Sequence, residues 1–310
     1  MSSGDLVPIR PDDSPPAGWE GAILPPGEPM PVAQPPAAPV PPRPPKQRIV
    51  LPVILFVVTC YTTNDLGGPW FSIPLMFTLV CHEFGHYIQA RRYGVPVSLP
   101  WFIPLPKAVS LFGTMGAVIG MRGRMPNRKV LFDIGITGPI AGLFPAIVFT
   151  IVGLWWTPYK LISLEGIRGY LFQNSILFNF LLERIVGVVP PGYDIDWHPM
   201  AFAGWVGLFV TALNLVPLGQ LDGGHVLYAL VGRRAHAVTV ALYIAAIGAM
   251  ILTQTWVWAL MLALLGFMGP RHPPTLHDDE PLGRGRTILG WLMLLFFLIS
   301  FTPDPIQFLD

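Results

Sequence analysis

The stretch FSIPLMFTLVCHEFGHYIQARR, residues 71–92, places two histidines and a glutamate inside a run of apolar residues. Its length and composition are typical of a membrane-spanning helix, which needs about 20 mostly apolar residues. An unpaired charge at mid-bilayer costs roughly 2.5 kcal/mol or more, so ionisable residues in a span indicate function. His82, Glu83 and His86 therefore require a partner that offsets the cost of their burial.

The composition of the whole chain indicates a membrane protein. Of its 310 residues, 52% are apolar and 12% are charged, whereas a soluble domain carries about 25% charged residues. The lipid bilayer is therefore an expected partner. The 19 basic residues are dispersed along the chain, which excludes a nucleic-acid-binding stripe.

The first 46 residues differ from the rest because they hold 15 of the 36 prolines. Such a segment cannot bury enough apolar surface to offset the entropy of ordering the chain. We expect residues 1–46 to be a disordered, Pro-rich cytoplasmic tail. Residues 47–303 are predicted to form the membrane domain, and residues 304–310 a C-terminal tail.

Hydropathy predicts an all-α polytopic membrane protein with six to seven transmembrane helices. The expected spans are 49–64, 69–91, 131–156, 200–230, 236–253, 256–270 and 287–302. The segment 256–270 is short, so a full crossing and a re-entrant turn both stay open for it.

The region between the second and third spans, residues 93–130, is predicted to be irregular. Four prolines within YGVPVSLPWFIPLPK, residues 93–107, forbid a helix there. The glycine-punctuated segment 108–121 predicts a short membrane-level β-hairpin or re-entrant strand, which needs protein or a water-filled cavity to cover its backbone. Two roles stay open for this segment: an edge to which an extended substrate adds as a strand, and a plug.

The distribution of lysine and arginine predicts the topology. Basic clusters place the N-terminus inside and the near-neutral loop 158–199 outside. Within that loop, residues 174–187 have a pattern that an amphipathic interfacial helix would show. Both polar motifs then lie toward the cytoplasmic ends of their spans. We expect a multi-pass protein of a bacterial plasma membrane with its active site toward the cytoplasm.

The motif H-E-x-x-H at residues 82–86 has the spacing of a metal site. Residues i and i+4 share one face of a helix, so the imidazoles of His82 and His86 can bind one ion. Zinc in such a site activates a water, and the carboxylate of Glu83 can accept its proton.

A catalytic zinc ion usually has three protein ligands, and ALNLVPLGQLDGGH, residues 212–225, supplies a candidate for the third. Asp222 is the only carboxylate in the predicted span 200–230, and Pro217 with nearby glycines would loosen the helix there. A helix-end cap is the alternative role of Asp222. Asn214 could donate to a developing negative charge or form an interhelical hydrogen bond. For His225, an interfacial position is favoured over a role behind the metal ligands.

HEFGH followed by NLVPLGQLDGG resembles the site-2 protease family of intramembrane zinc metalloproteases, in a form without a PDZ domain. DIGITGPIAG, residues 133–142, resembles the helix that follows the membrane-level hairpin in that family; its Gly138 and Gly142 form a small-xxx-small pair that predicts close helix packing. Leu215 stands where the family motif has its first proline.

The resemblance implies one Zn²⁺ per chain, with His82, His86 and Asp222 as ligands and Glu83 as the general base. It also implies that Asn214 helps to hold the substrate or its oxyanion. The implied activity is hydrolysis of peptide bonds in or near transmembrane segments of substrate proteins, as in regulated intramembrane proteolysis.

Two other classes of function compete with this one. A membrane transporter would also place charges in spans, but it predicts paired ion sites at a repeat interface, and the sequence has no detectable repeats. A catalytically inactive metal-binding scaffold has no need of a general base, so Glu83 argues against it.

Overall fold

Helices dominate the part of the chain that the structure describes. The computed structural model describes residues 49–121, 123–165, 169–269 and 272–309, so the predicted tail 1–46 lies outside the described residues. In chain order the helices are α1 Val50–Gly67, α2 Pro69–Arg92, α3 Arg128–Trp155, α4 Ile176–Ile185, α5 Pro199–Asn214, α6 Asp222–Val231, α7 Ala235–Thr253, α8 Ala259–Met268 and α9 Arg284–Ser300.

Helix α3 lies at the centre and packs against α2, α5 and α6. Small residues let it approach α5 closely: a Cβ on Gly153 would lie 2.1 Å from the Ala201 main-chain nitrogen, and one on Gly204 would lie 2.3 Å from Thr150 Oγ1. Close approach through small residues is the usual way in which membrane helices associate. The interior of the protein is therefore built around α3.

Six short strands form antiparallel pairs in the described part of the chain. They are β1 Trp101–Pro104, β2 Thr114–Val118, β3 Leu161–Ser163, β4 Gly169–Phe172, β5 Tyr193–Ile195 and β6 Ile306–Leu309, paired as β1–β2, β3–β5 and β4–β6. Of the first pair, only β2 lies in the segment 108–121 that was predicted to form the hairpin. Its partner β1 lies in the Pro-rich stretch 93–107, and the pairing is irregular between Phe102 and Pro104. The depth of this pair in the bilayer stays a prediction.

The other two strand pairs differ from the sequence prediction. The all-α class omits them. Within the predicted C-terminal tail 304–310, strand β6 pairs with β4 in the register Gly169↔Leu309 to Phe172↔Ile306. Pairing between segments so far apart leaves no local pattern in the sequence. Helix α4, in contrast, lies within the segment 174–187 for which an amphipathic helix was predicted, with Phe178 and Leu182 buried.

The predicted span 200–230 is not one helix. Helix α5 ends at Asn214, α6 begins at Asp222, and a turn containing Pro217 and Gly219 (φ 55°) separates them. The break confirms the prediction that Pro217 and nearby glycines loosen the helix, because proline and a left-handed glycine cannot continue a helix. Whether 200–230 makes one crossing stays a prediction.

Three helical stretches in the described residues are long and apolar enough to cross a membrane. They are Val50–Gly67, Arg128–Trp155 and Asp222–Thr253. Large apolar side chains point outward elsewhere too; Phe267 on α8 is 92% exposed, which suits contact with lipid. The total of six to seven spans stays a prediction.

An ion pair joins α9 to α3. Arg286 donates to both carboxylate oxygens of Asp133, at 2.8 and 2.7 Å, and the Tyr93 hydroxyl donates to the same carboxylate. Asp133 lies in the second turn of α3, and the N-terminal cap of that helix is Asn127, whose side chain accepts from the Val130 main-chain nitrogen at 3.0 Å.

We expect the Arg286→Met variant to lower the free energy of unfolding by about 1–3 kcal/mol, because the mostly buried Asp133 loses two charge-assisted hydrogen bonds. The measurement is thermal unfolding of the purified protein in detergent. Lys107→Met is the matched control, since Lys107 forms an exposed pair with Asp65 at 3.2 Å and should change stability by about 0.5 kcal/mol or less. Equal losses of unfolding free energy in the two variants would contradict the conclusion that the Arg286–Asp133 ion pair stabilises the fold.

Candidate metal centre

Three side chains from two helices converge on one point. His82 and His86 lie one turn apart on α2, and Asp222 is the first residue of α6. The Oδ2 atom of Asp222 is 3.2 Å from the Nε2 atom of each histidine, and the two Nε2 atoms are 3.3 Å apart. Both histidines are buried. The structure thus brings together the three residues predicted to bind a metal.

A main-chain contact orients one of the imidazoles. The Nδ1–H of His86 donates to the carbonyl oxygen of Ile134 on α3, at 2.7 Å. In a neutral imidazole the other nitrogen then carries the lone pair. The Nε2 lone pair of His86 is therefore directed at the centre of the triangle, which is the arrangement that metal-binding histidines adopt.

The size of the triangle suits zinc. Nitrogen and oxygen ligands lie about 2.0–2.2 Å from a tetrahedral zinc ion, which separates them from one another by roughly 3.3 Å. The separations of 3.2, 3.2 and 3.3 Å match that value. Two imidazoles and one carboxylate are also a common donor set of catalytic zinc, so the residues fit the ion.

Glycines of α3 make room for the imidazoles. A Cβ on Gly138 would lie 1.9 Å from the Nε2 atom of His86, and one on Gly142 would lie 2.9 Å from the Cβ of His82. The small-xxx-small pair was predicted to pack helices, and here it specifically receives the two histidine rings. Gly85 of α2 meets α3 in the same way, since a Cβ there would lie 2.5 Å from the Thr137 carbonyl oxygen.

The glycines after Asp222 allow the main chain of the turn between α5 and α6 to pack closely against the first turn of α6. A Cβ on Gly223 would lie 2.0 Å from the Leu215 carbonyl oxygen, and one on Gly224 would lie 2.4 Å from the Gly219 carbonyl oxygen. Asp222 therefore lies at the start of α6, where the helix dipole stabilises a carboxylate. The packing of L-D-G-G fixes the third corner of the triangle.

A cavity of about 470 Å³ opens onto the triangle. Glu83 lines it and forms no hydrogen bond or ion pair with another residue in the described ranges, so its carboxylate is available to accept a proton. Asn214, at the end of α5, lies with its Nδ2 atom 3.1 Å from His82 Nε2. Ala117 and Val118 at the end of β2, and Ile119 after it, also line the cavity.

Two further histidines line this cavity, and one of them was not predicted from the sequence. His225, for which a role behind the metal ligands was the less favoured alternative, lines the cavity, and so does His272 from the segment between α8 and α9. The spacing of three residues from Asp222 could have indicated that His225 shares a helix face with it. Nothing in the local sequence pairs His272 with this site.

Comparison with known proteins agrees with the geometry. Peptidase family M50 matches residues 70–254, more than half of the chain. The chain belongs to Peptidase family M50. The matched region contains His82, Glu83, His86, Asn214 and Asp222.

The curated relatives of this M50 chain include plant proteins with zinc metalloprotease names. The Arabidopsis thaliana protein called probable zinc metalloprotease EGY1, chloroplastic, is 28% identical over 239 residues, 75% of this chain and 43% of the relative. The EGY1 protein of Oryza sativa subsp. japonica is 34% identical over 197 residues, 58% of this chain and 33% of the relative. This M50 chain therefore spans less than half the length of these relatives.

These relatives bear on the predicted location. Their names place them in chloroplasts, so they give no support to a bacterial plasma membrane. The apolar helices of the M50 chain support the broader statement that it is a membrane protein.

We expect the Gly138→Ala variant to lose most of its bound zinc, because the added methyl group would occupy the position of the His86 ring. The measurement is metal content of the purified protein by mass spectrometry. Gly248→Ala on α7 is the control, since a Cβ there would meet nothing within 4 Å and alanine favours a helix. Full zinc occupancy in Gly138→Ala would show that α3 does not set the position of His86.

Proposed function

We propose that this chain is an intramembrane zinc metalloendopeptidase that hydrolyses peptide bonds in or near transmembrane segments of other proteins. The observation that carries the proposal is the triangle of His82, His86 and Asp222 with the carboxylate of Glu83 in the same cavity. Membership of Peptidase family M50 and the names of the EGY relatives support it.

The three corner residues would hold the zinc ion, one per chain. When bound, zinc supplies Lewis-acid polarisation of the scissile carbonyl group and acidifies a water to a pKa of about 7. Glu83 then has the role of a general base: its carboxylate accepts a proton within the cavity and returns it to the departing amine. The amide of Asn214 lies beside His82, where it can donate to a developing oxyanion.

Strand β2 offers a way to present the substrate. Among the described residues it pairs with β1 along one edge only, and its end lines the cavity with Glu83. An extended polypeptide that adds to the other edge would run along the cavity wall. A transmembrane substrate must unwind first, because the carbonyl groups of a helix are already hydrogen-bonded within it. The same wall could also plug the cavity before substrate enters.

The substrates in this proposal are transmembrane proteins, and the site faces the cytoplasmic side. The orientation rests on the lysine and arginine distribution, and the identity of the membrane stays a prediction. An inactive scaffold leaves the position of Glu83 unexplained. A transporter predicts paired ion sites, whereas the described residues hold one group of possible metal ligands.

We expect the Glu83→Gln variant to lose cleavage of a single-span membrane protein while it keeps its zinc, because the amide cannot accept the proton. General-base catalysis contributes about 10²–10⁴-fold, so the rate should fall by at least roughly a hundredfold. The measurement is co-expression with a panel of single-span membrane proteins, followed by assay of the purified pair. Asp222→Ala is the companion variant and should lose both zinc and cleavage. Cleavage that persists in purified Glu83→Gln would contradict the role of Glu83 as the general base.

The two roles left open for Asn214 make different predictions for Asn214→Ala. If its amide stabilises an oxyanion, we expect kcat to fall by about 10²–10³-fold with zinc content and thermal stability unchanged. If it serves only as a hydrogen bond between α5 and α2, the melting temperature should fall and kcat should change by less than about tenfold. Steady-state kinetics and a melting curve on the same preparation decide between them.

A further inference from the structure

His225 occupies a position on the cavity wall that the proposed chemistry does not use. It lies three residues after Asp222 on α6, so the two side chains project from the same face of the helix. Helix α3 approaches it closely, since a Cβ on Gly135 would lie 2.9 Å from the Cβ of His225. The imidazole thus stands beside the metal triangle, in the same cavity as Glu83.

A second histidine fixes the ring of His225. Its Nδ1 atom is 2.7 Å from the Nε2 atom of His272, with the two rings nearly perpendicular at 85°. His272 in turn packs against the ring of Tyr228, with the ring centroids 4.7 Å apart. Burial lowers the pKa of His272 to about 4, so it is neutral near pH 7 and shares a single hydrogen bond with His225.

The main chain around His272 is fastened to its surroundings. The imidazole of His236 contacts the His272 carbonyl oxygen at 2.9 Å. Further along the same segment, the main-chain nitrogen of Leu276 donates to the Met125 carbonyl oxygen at 3.0 Å. His272 is therefore a fixed point from which the His225 ring is oriented.

The same segment is also held by a carboxylate. The Tyr228 hydroxyl donates to Asp278 at 2.8 Å and the Thr275 hydroxyl donates to it at 2.6 Å. Burial opposes ionisation of Asp278, but these hydrogen bonds keep its pKa below the usual value. An ionised Asp278 thus ties the segment to the same tyrosine against which His272 packs.

The contact with His272 leaves one ring nitrogen of His225 for the cavity. Its Nε2 atom has no hydrogen-bond partner in the residues that the structure describes. Because Nδ1 is already engaged, Nε2 is either a fixed donor or a fixed acceptor. An extended peptide presents both N–H and C=O groups, so it can satisfy either form.

We propose that His225 binds the main chain of the substrate through Nε2, and that His272 is a positioning residue that holds the His225 ring for this contact. The proposal rests on the function proposed above, because it requires an extended polypeptide in the cavity. Through this contact the cavity would recognise the free main-chain groups of an unwound segment. The metal and its ligands do not supply that recognition.

The test measures binding separately from cleavage. A fluorescein-labelled single-span peptide with a helix-breaking Gly-Pro pair is titrated against the full chain carrying Glu83→Gln, and the Kd is read by fluorescence anisotropy. His225→Asn keeps a group at the position of Nδ1 and removes Nε2. We expect it to raise the Kd by about tenfold, the size of one hydrogen bond, with zinc content unchanged.

Substitutions of His272 then test its positioning role. His272→Gln retains a polar group near the position of Nε2 and should bind within about threefold of the parent, whereas His272→Phe keeps the ring against Tyr228 and should approach the loss seen in His225→Asn. The double variant His225→Asn with His272→Phe should bind no more weakly than His225→Asn alone, because the two residues act as a unit. His277→Phe, an exposed histidine of the same segment, should leave the Kd unchanged.

Several results would overturn this inference: an unchanged Kd in His225→Asn, a loss of zinc in that variant, or losses that multiply in the double variant. A protein that binds the peptide as expected but never cleaves with Glu83 restored would instead refute the proposed protease. Failure of the two proposals is therefore distinguishable.

Discussion

Three electron-rich atoms held within 3.3 Å of one another are the constraint on which the rest of this structure depends. Two imidazole nitrogens and a carboxylate oxygen repel one another unless a cation or a proton lies among them. The fold opposes that repulsion because the helices that carry the three side chains fix their positions. Helix α2 sets the spacing of His82 and His86, and the turn before α6 places Asp222 at a helix N-terminus, where a carboxylate is favoured.

Helix α3 contributes no side chain with a proposed catalytic role, yet it determines the geometry of the site. Its glycines let α2 and α6 come close, and its main-chain carbonyl at Ile134 orients the His86 ring. Because a membrane offers little hydrophobic drive for helix association, such close packing and interhelical hydrogen bonding must supply the stability. The same contacts that hold the helices together therefore also shape the metal centre.

The sequence was informative where an interaction joins residues close in the chain, or where burying a charged side chain costs free energy. The i, i+4 spacing of His82 and His86 and the single carboxylate of the 200–230 stretch predicted residues that the structure brings together, and α2 was placed to within one residue. The break between α5 and α6 was visible as Pro217, although hydropathy alone continued the helix across it. The contacts that could not be predicted join segments far apart in the sequence, which share no periodic pattern. They are the pairing of β4 with β6 and the hydrogen bond between His225 and His272.

The cavity is lined both by residues inside the M50 match and by residues outside it, from the segment between α8 and α9. The residues that would bind metal and move protons fall within the M50 match at 70–254, whereas His272, Pro273 and Pro274 lie beyond it and still line the same space. The proposed metal ligands and part of the cavity lining are thus encoded in separate stretches of the chain. If polypeptides bind as proposed, exchanging the outer stretch between proteins would change how tightly an unwound main chain is held and would leave the metal-binding residues in place.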